Sequence, residues 1–387
     1  MKNYKRLGDY IREVNVRNRE LEVKKLVGLT IDKAFIPSVA NVIGTDLSNY
    51  KIIQKEQFAC SLMQVSRDGK MPVAMFEEDQ AIMSPAYPMF EVIDKTVLLP
   101  QYLMMWFSRS EFDREASYYA VGGVRGSLTW EDFCNMRLPI PSIERQREIV
   151  AEYETLTHRI RLNEQMIQYL EDTAQALYRK MFVNGIDKEN LPEGWRMGTL
   201  GEVCEINTDN ISFKDKYKVI KYLDSSSVTD NVFDEYQILN PELDEIPNRA
   251  KRKVRYNDIV YSTVRPNLKH FGIIKGNTEN VVVSTAFAVI RSNNANISNE
   301  LLYLHLTDES NTNILQGIAE MSKATYPSIT PENIMDLKIV IPKLFDNVIE
   351  LNNILRKLFE SISIKRIENK KLAKLQSLLL AKMGHKI

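Results

Sequence analysis

Ser142-Ile143-Glu144-Arg145-Gln146 opens, and Asn184-Gly185 closes, a stretch in which Ile149, Tyr153, Leu156, Ile160, Asn163, Ile167, Leu170, Ala174, Leu177 and Met181 recur alternately 4 and 3 residues apart. So sustained a seam indicates a coiled coil rather than an ordinary surface helix. Ser142 can start it and Asn184-Gly185 can stop it, and at about 1.5 Å per residue it spans roughly 60 Å. After Pro342 the spacing returns as Leu351, Leu355, Leu358 and Ile362, weakens through Lys365 and Asn369, and resumes at Leu372, Leu375 and Leu379. Asn163 lies near the middle of the first seam as its only polar member. Antiparallel pairing of the two helices would therefore bring Asn163 close to Lys365 and Asn369, and polar seam residues of this kind fix register.

Outside these helices the chain repeats itself. Arg6-Leu7-Gly8-Asp9-Tyr10-Ile11 is answered by Thr199-Leu200-Gly201-Glu202-Val203-Cys204, Phe58-Ala59-Cys60-Ser61 by Ile259-Val260-Tyr261-Ser262, and Ser84 to Phe90 by Ser284 to Ile290. Thr129 to Pro141 parallels Thr330 to Pro342. Each copy mixes β-branched and aromatic runs with turn signals such as Asp68-Gly69 and Gly276-Asn277, and each has room for one helix, from Pro100 in the first and from Glu300 in the second. The loops Gly122 to Ser127 and Ser322 to Ser328 occupy equivalent positions. The expected fold is α+β: two mixed α/β domains in tandem, at 1–141 and 185–342, separated and followed by long helices, at 142–184 and 343–387, that form an antiparallel coiled coil.

With 387 residues, 44 % hydrophobic and 26 % charged, the chain can bury more than one core. Its best membrane candidate, Thr96 to Phe107, is broken by Pro100 and Gln101, and Met1-Lys2-Asn3-Tyr4-Lys5-Arg6 leads into no apolar signal core, so a cytoplasmic protein is expected. Cys60, Cys134 and Cys204 are odd in number and far apart, which predicts neither a disulfide framework nor a zinc site. Acids and bases balance at 51 each, but Arg249, Lys251, Arg252, Lys253, Arg255, Arg265, Lys269 and Lys275 stand against the single acid Asp258. Residues 356–387 are similarly basic.

No catalytic motif accompanies these features. The sequence has no GxxxxGK[ST] phosphate loop, no GxGxxG after a strand, no HExxH and no Asn-Pro-Pro-aromatic. Asp68-Gly69-Lys70 could be drafted as a nuclease site, but Asp-Gly between two apolar runs reads as a turn. His158 and His305 lie in helical stretches and read as packing or surface residues.

One combination is more specific. Leu138-Pro139-Ile140-Pro141-Ser142-Ile143-Glu144-Arg145-Gln146-Arg147-Glu148-Ile149-Val150, the coiled-coil helix, and then Leu191-Pro192-Glu193-Gly194-Trp195-Arg196 opening a second copy resemble the specificity subunit of type I restriction-modification systems. The second copy departs from the pattern with Ile341-Pro342-Lys343-Leu344-Phe345-Asp346. The resemblance implies two target recognition domains, each reading half of a split site in double-stranded DNA. It further implies a chain without catalysis or a bound cofactor. Methylation then falls to modification subunits, two of them, using S-adenosylmethionine, and ATP- and Mg²⁺-dependent cleavage to restriction subunits. No membrane is involved. The apolar outer faces of the helices, with Leu378-Leu379-Leu380, are the expected docking surface for the modification subunits.

Charge and loop position nominate the DNA-facing residues. Lys251, Arg252, Lys253 and Arg255 suit phosphate contact, whereas Arg265, Asn267, Lys269 and His270, with Thr325, Tyr326 and Ser328, suit base edges. Arg67, Lys70, Arg125 and Ser127 are the matching choices in the first domain. The competing readings are a free-standing coiled-coil module that binds RNA or protein, and a single-chain nuclease.

Overall fold

The computed structural model describes residues 4–384 apart from 39–43, 64, 122–125, 185, 188, 213–214, 323–324 and 344–345. The chain forms two units, 1–162 with 369–387 and 163–368. The division crosses both long helices, Ile143–Phe182 and Asp346–Lys382, at Asn163 and Asn369.

In the first unit, Tyr4–Arg6 pairs with Arg137–Pro139, bringing the start of the domain beside its end. The central sheet has the order Ile11–Glu13, Met89–Val92, Phe58–Cys60, Val73–Met75, antiparallel throughout. Lys51–Gln54 with Gln80–Met83 and Val27–Leu29 with Phe35–Pro37 form two further ribbons. Phe58 stacks on Phe90 with ring centroids 5.0 Å apart, and Phe107 and Phe133 close over the pair. Rings of this size bury most apolar area per residue, so this cluster is the centre of the core.

The second unit repeats the plan. Arg196–Thr199 pairs with Lys338–Ile341, and the central sheet runs Cys204–Ile206, Phe287–Ser292, Ile259–Ser262, Phe271–Ile273. Each strand takes the place of its counterpart in the first unit. The outer layer is larger: Gln237–Leu239, Ile220–Leu223, Val281–Ser284 and Ala250–Lys253 form a second four-stranded sheet whose middle pair is parallel.

The single helix expected in each copy is two. Pro100–Phe107 and Ser110–Ala120 are separated by extended backbone at Arg109, and Asn299–Thr307 and Glu309–Glu320 by non-helical backbone at Asp308. Apolar spacing runs through both breaks, which is why it reads as one helix. The carboxylate of Asp308 stops the run by accepting from the Ser310 backbone N–H, a cap that only a non-helical residue can make.

Each unit grips its stretch of the long helices through a buried amide. Gln146, fully buried, accepts from Leu99 N–H and donates to the carbonyls of Val97 and Pro141, all within 2.9 Å. Asn352 accepts from Ser298 N–H and donates to Asn296 O in the second unit, so the two amides hold the loops entering Pro100–Phe107 and Asn299–Thr307. The helix stretches run antiparallel within each unit. Thr157 accepts from Gln376, while Ile149 and Tyr153 share a core with Leu380 and Met383. In the second unit Arg366 pairs with Glu171 at 2.6 Å, and Tyr178 and Phe182 share a core with Leu351 and Leu355. Asn163 is buried, and Lys365 pairs with Glu368 at 3.4 Å.

Candidate nucleic-acid interface

The nominated loops meet at one edge of each central sheet. In the second unit the connection between Ile259–Ser262 and Phe271–Ile273 carries Arg265, Asn267, Lys269 and His270. Arg265 N–H donates to Pro327 O at 3.0 Å, and Ile329 N–H to Thr263 O at 2.8 Å, which ties this connection to the loop bearing Thr325, Tyr326 and Ser328. The Arg265 guanidinium lies 5.2 Å from the centre of the Tyr326 ring, so two exposed side chains from different loops form one flat surface. Ser328 is half-buried and bridges Val264. Asn267 is exposed, and its N–H is held by Gln316 Oε1 at 3.1 Å.

The connection is stiff. Arg265 and Lys269 adopt left-handed backbone at φ 47° and 55°, flanking the short helical turn Pro266–Leu268. The facing turn holds two more such residues, Asp230 and Asn231. Asp and Asn tolerate this conformation, but Arg and Lys do not favour it, and non-glycine residues in that region concentrate at functional edges. Lys269 approaches Asp230 at 3.8 Å. His270 Nδ1 lies 2.7 Å from Val228 O. A carbonyl only accepts, so Nδ1 carries a proton in this hydrogen bond. Sequence reasoning missed Gln316 and Asp230; only the turn-forming pair Asp230-Asn231 carried a signal.

The first unit builds the same edge from other residues. Arg67 and Lys70 are exposed on the connection between Phe58–Cys60 and Val73–Met75, where Arg67 pairs with Asp68 at 2.7 Å and Lys70 with Asp32 at 3.0 Å. The expected tight turn at Asp68-Gly69 is the end of a short helix, Val65–Asp68, inside that longer connection. Leu128 N–H donates to Leu62 O at 2.8 Å, the counterpart of the Ile329–Thr263 bond. Gly126, at φ +71°, sits so close to Ser66 that an added Cβ would fall 2.1 Å from its Oγ. Ser127 is half-buried beside it, and Arg125 lies outside the described residues.

The basic run 251–255 lies on and just after the edge strand Ala250–Lys253. Its sequence isolation from acids does not survive folding. Lys253 pairs with Asp215 at 2.7 Å and Arg255 with Asp209 at 2.6 Å, while Asp258 is spent on Arg291. The Lys253 hydrogen bond, and then the backbone N–H of Ser212, hold the Asp215 carboxyl down at about 2. Lys251 is exposed with no carboxylate partner among the described residues. Arg252 is half-buried and donates to Thr285 O at 3.3 Å, with Nε and Nη1 unpartnered.

Leu378-Leu379-Leu380 does not form one surface: Leu378 is exposed, whereas Leu380 packs on the first unit's core. Met166, Tyr169, Ile364 and Ile367 are exposed on the helix stretches of the second unit. No described helix is long and apolar enough to cross a membrane.

Residues 192–377 match the family model of the type I restriction modification DNA specificity domain. The chain is 28 % identical over 181 residues to the type I restriction enzyme HindI specificity subunit of Haemophilus influenzae, covering 44 % of this chain and 39 % of that protein. It is 19 % identical over 362 residues to the putative type I restriction enzyme MjaX specificity subunit of Methanocaldococcus jannaschii, covering 89 % and 81 %. The crystal structure of a type I restriction-modification S subunit from M. genitalium superposes with a TM-score of 0.60 at 13 % identity, covering 99 % and 96 %, a likeness of fold.

Proposed function

We propose that the chain is a specificity subunit of a type I restriction-modification system and that each unit reads one half of a split site in duplex DNA. The observation that carries this reading is one scaffold built twice with different side chains at the same edge. Strand order and the loop-to-loop hydrogen bond repeat, whereas the connection that carries the helix Val65–Asp68 with Arg67 and Lys70 in the first unit carries the turn Pro266–Leu268 with Arg265, Asn267 and His270 in the second. Two unlike readers on a common frame suit a site with two unlike halves, with the long helices setting the spacing.

In this reading the chain does no chemistry and binds no cofactor. Two modification subunits methylate adenine with S-adenosylmethionine, docking on the exposed apolar residues of the helices, and restriction subunits use ATP and Mg²⁺ in the full, cytoplasmic complex. Arg265, Asn267, Lys269, His270, Thr325, Tyr326 and Ser328 face bases in one half-site, and Arg67, Lys70, Arg125 and Ser127 in the other. Lys251, with Arg252, Lys253 and Arg255 behind it, faces phosphate.

Co-expression with the modification subunit encoded nearby, followed by mapping of methylated adenines across the host genome, tests the proposal. The expected result is a methylated split motif whose halves differ. A complex that assembles and methylates no motif would overturn it.

A further inference from the structure

At matching positions each unit holds a shielded cation with no carboxylate partner among the described residues. Lys51 stands opposite Met83 in the first unit and Arg252 opposite Val283 in the second, each on the strand paired with the one that runs into the central sheet. Lys51 Nζ donates to Tyr87 O at 2.9 Å and Arg252 Nη2 to Thr285 O at 3.3 Å, so both cations hold a carbonyl of the turn between those two strands. That turn also supports the reading edge: Pro88 O accepts from Cys60 N–H, and Ala286 O accepts from both the N–H and the hydroxyl of Thr263.

Both charged groups are shielded, Lys51 as a whole residue and Arg252, half-buried overall, at its guanidinium. Lys51 is 5 % exposed, and two nitrogens of the Arg252 guanidinium are sealed from solvent without a partner. Other shielded cations among the described residues do meet a carboxylate: Lys33 meets Asp113 at 2.8 Å, Lys275 meets Glu300 at 2.5 Å and half-buried Arg291 meets Asp258 at 2.7 Å. Burial pushes the pKa of Lys51 and of Arg252 down from their ordinary values; Glu13 opposes the shift at Lys51 without forming an ion pair, and Arg17 reinforces it. A desolvated charge with only a carbonyl for company destabilises the unbound fold. Finding it twice, at equivalent positions of sequences that have otherwise diverged, points to a partner that arrives from outside and is anionic.

We propose that Lys51 and Arg252 are matched phosphate seats, one per unit, each receiving a backbone phosphate of duplex DNA next to the loops that read its bases. The inference rests on the DNA-reading role proposed above. It replaces the view of 251–255 as a uniform basic patch, since Lys253 and Arg255 already have carboxylates.

The test uses Lys51→Met and Arg252→Met in the full chain, assembled with its modification subunits, against a duplex of mixed sequence across a salt series. Each variant is expected to flatten the slope of log affinity against log salt by about one, and the double variant by about two. The melting temperature of the unbound chain is expected to hold or rise, because the exchange removes a buried charge and keeps the volume. Lys51→Arg and Arg252→Lys keep the charge and should keep the slope. An unchanged slope in the Met variants overturns the inference, as does a lowered melting temperature with the slope intact, which would assign both side chains to holding the turn. If the wild-type assembly binds no duplex, the parent proposal fails instead, and this one with it.

Discussion

The two edges proposed to read DNA are one frame stiffened in two ways. In the first unit the connection between the paired strands contains the helix Val65–Asp68, against which Gly126 fits only because it lacks a Cβ. In the second the connection is shorter and is held by left-handed Arg265 and Lys269, by Gln316, and by the turn at Asp230-Asn231. The backbone bond from the following loop, Leu128 to Leu62 or Ile329 to Thr263, is the same in both at 2.8 Å. What repeats is therefore the support, and what diverges is the exposed rim. A frame of this kind lets the rim change its side chains without disturbing the core beneath.

The largest effects should come from breaking the support. Gln146→Leu leaves Leu99 N–H and the carbonyls of Val97 and Pro141 without partners in a buried place, and should cost about 3 kcal/mol. Asn352→Leu removes two such bonds and should cost about 2 kcal/mol. Hydrogen exchange separates the two: protection should fall at 97–99 for the first variant and at 296–298 for the second. Loss spread evenly over both units by either variant would break the view that each amide anchors its own unit.

That pair also shows what the sequence could reveal. Gln146 sits in a stretch whose spacing announces it, whereas the second copy reads Lys343-Leu344-Phe345-Asp346 there and its anchor is displaced to Asn352. Repeated strands were legible because Phe58 to Ser61 and Ile259 to Ser262 keep apolar runs on a fixed offset. The breaks at Arg109 and Asp308 were not, since apolar periodicity continues across a cap that depends on one carboxylate and one N–H. The loops of the reading edge could be paired from position alone. The charge balance of 251–255 could not be foreseen, because Asp209 and Asp215 arrive from about 40 residues earlier in the chain.

Changes at the rim should have smaller effects, confined to binding. Arg265→Ala is expected to weaken binding to the methylated motif by about 1–3 kcal/mol and to relax discrimination in one half-site only. Lys251→Ala, an exposed cation on the outer strand, should weaken cognate and unrelated duplexes alike and reduce the salt dependence by about one. Competition binding with cognate and scrambled duplexes at fixed salt distinguishes the two. An equal loss on both duplexes for Arg265→Ala would move it from the bases to the phosphates, and the second rim would lose its assigned reader.

The smallest expected effect concerns a clamp formed by the enlarged outer sheet of the second unit. Asp215 joins Lys253 on the edge strand to the N–H of Ser212, and its carboxyl is held at about 2 against an ordinary 3.8. A depressed carboxyl contributes its full stabilisation above the unfolded value and loses it as the pH falls through the folded one, so the window lies between about pH 4 and pH 2. Because the carboxylate lies at the surface, salt should shrink the contribution further. Protection of Ala250–Lys253 should decline across that window in the wild type and be flat there in Lys253→Met, measured as the difference between the two. Lys51, the single cation of the matching strand Lys51–Gln54, has no ion pair among the described residues, and the strand's protection should be unaffected by the substitution. A matching change there would mean that the acid response belongs to the shared frame and not to the clamp, and the outer sheets would cease to be a point of difference between the units.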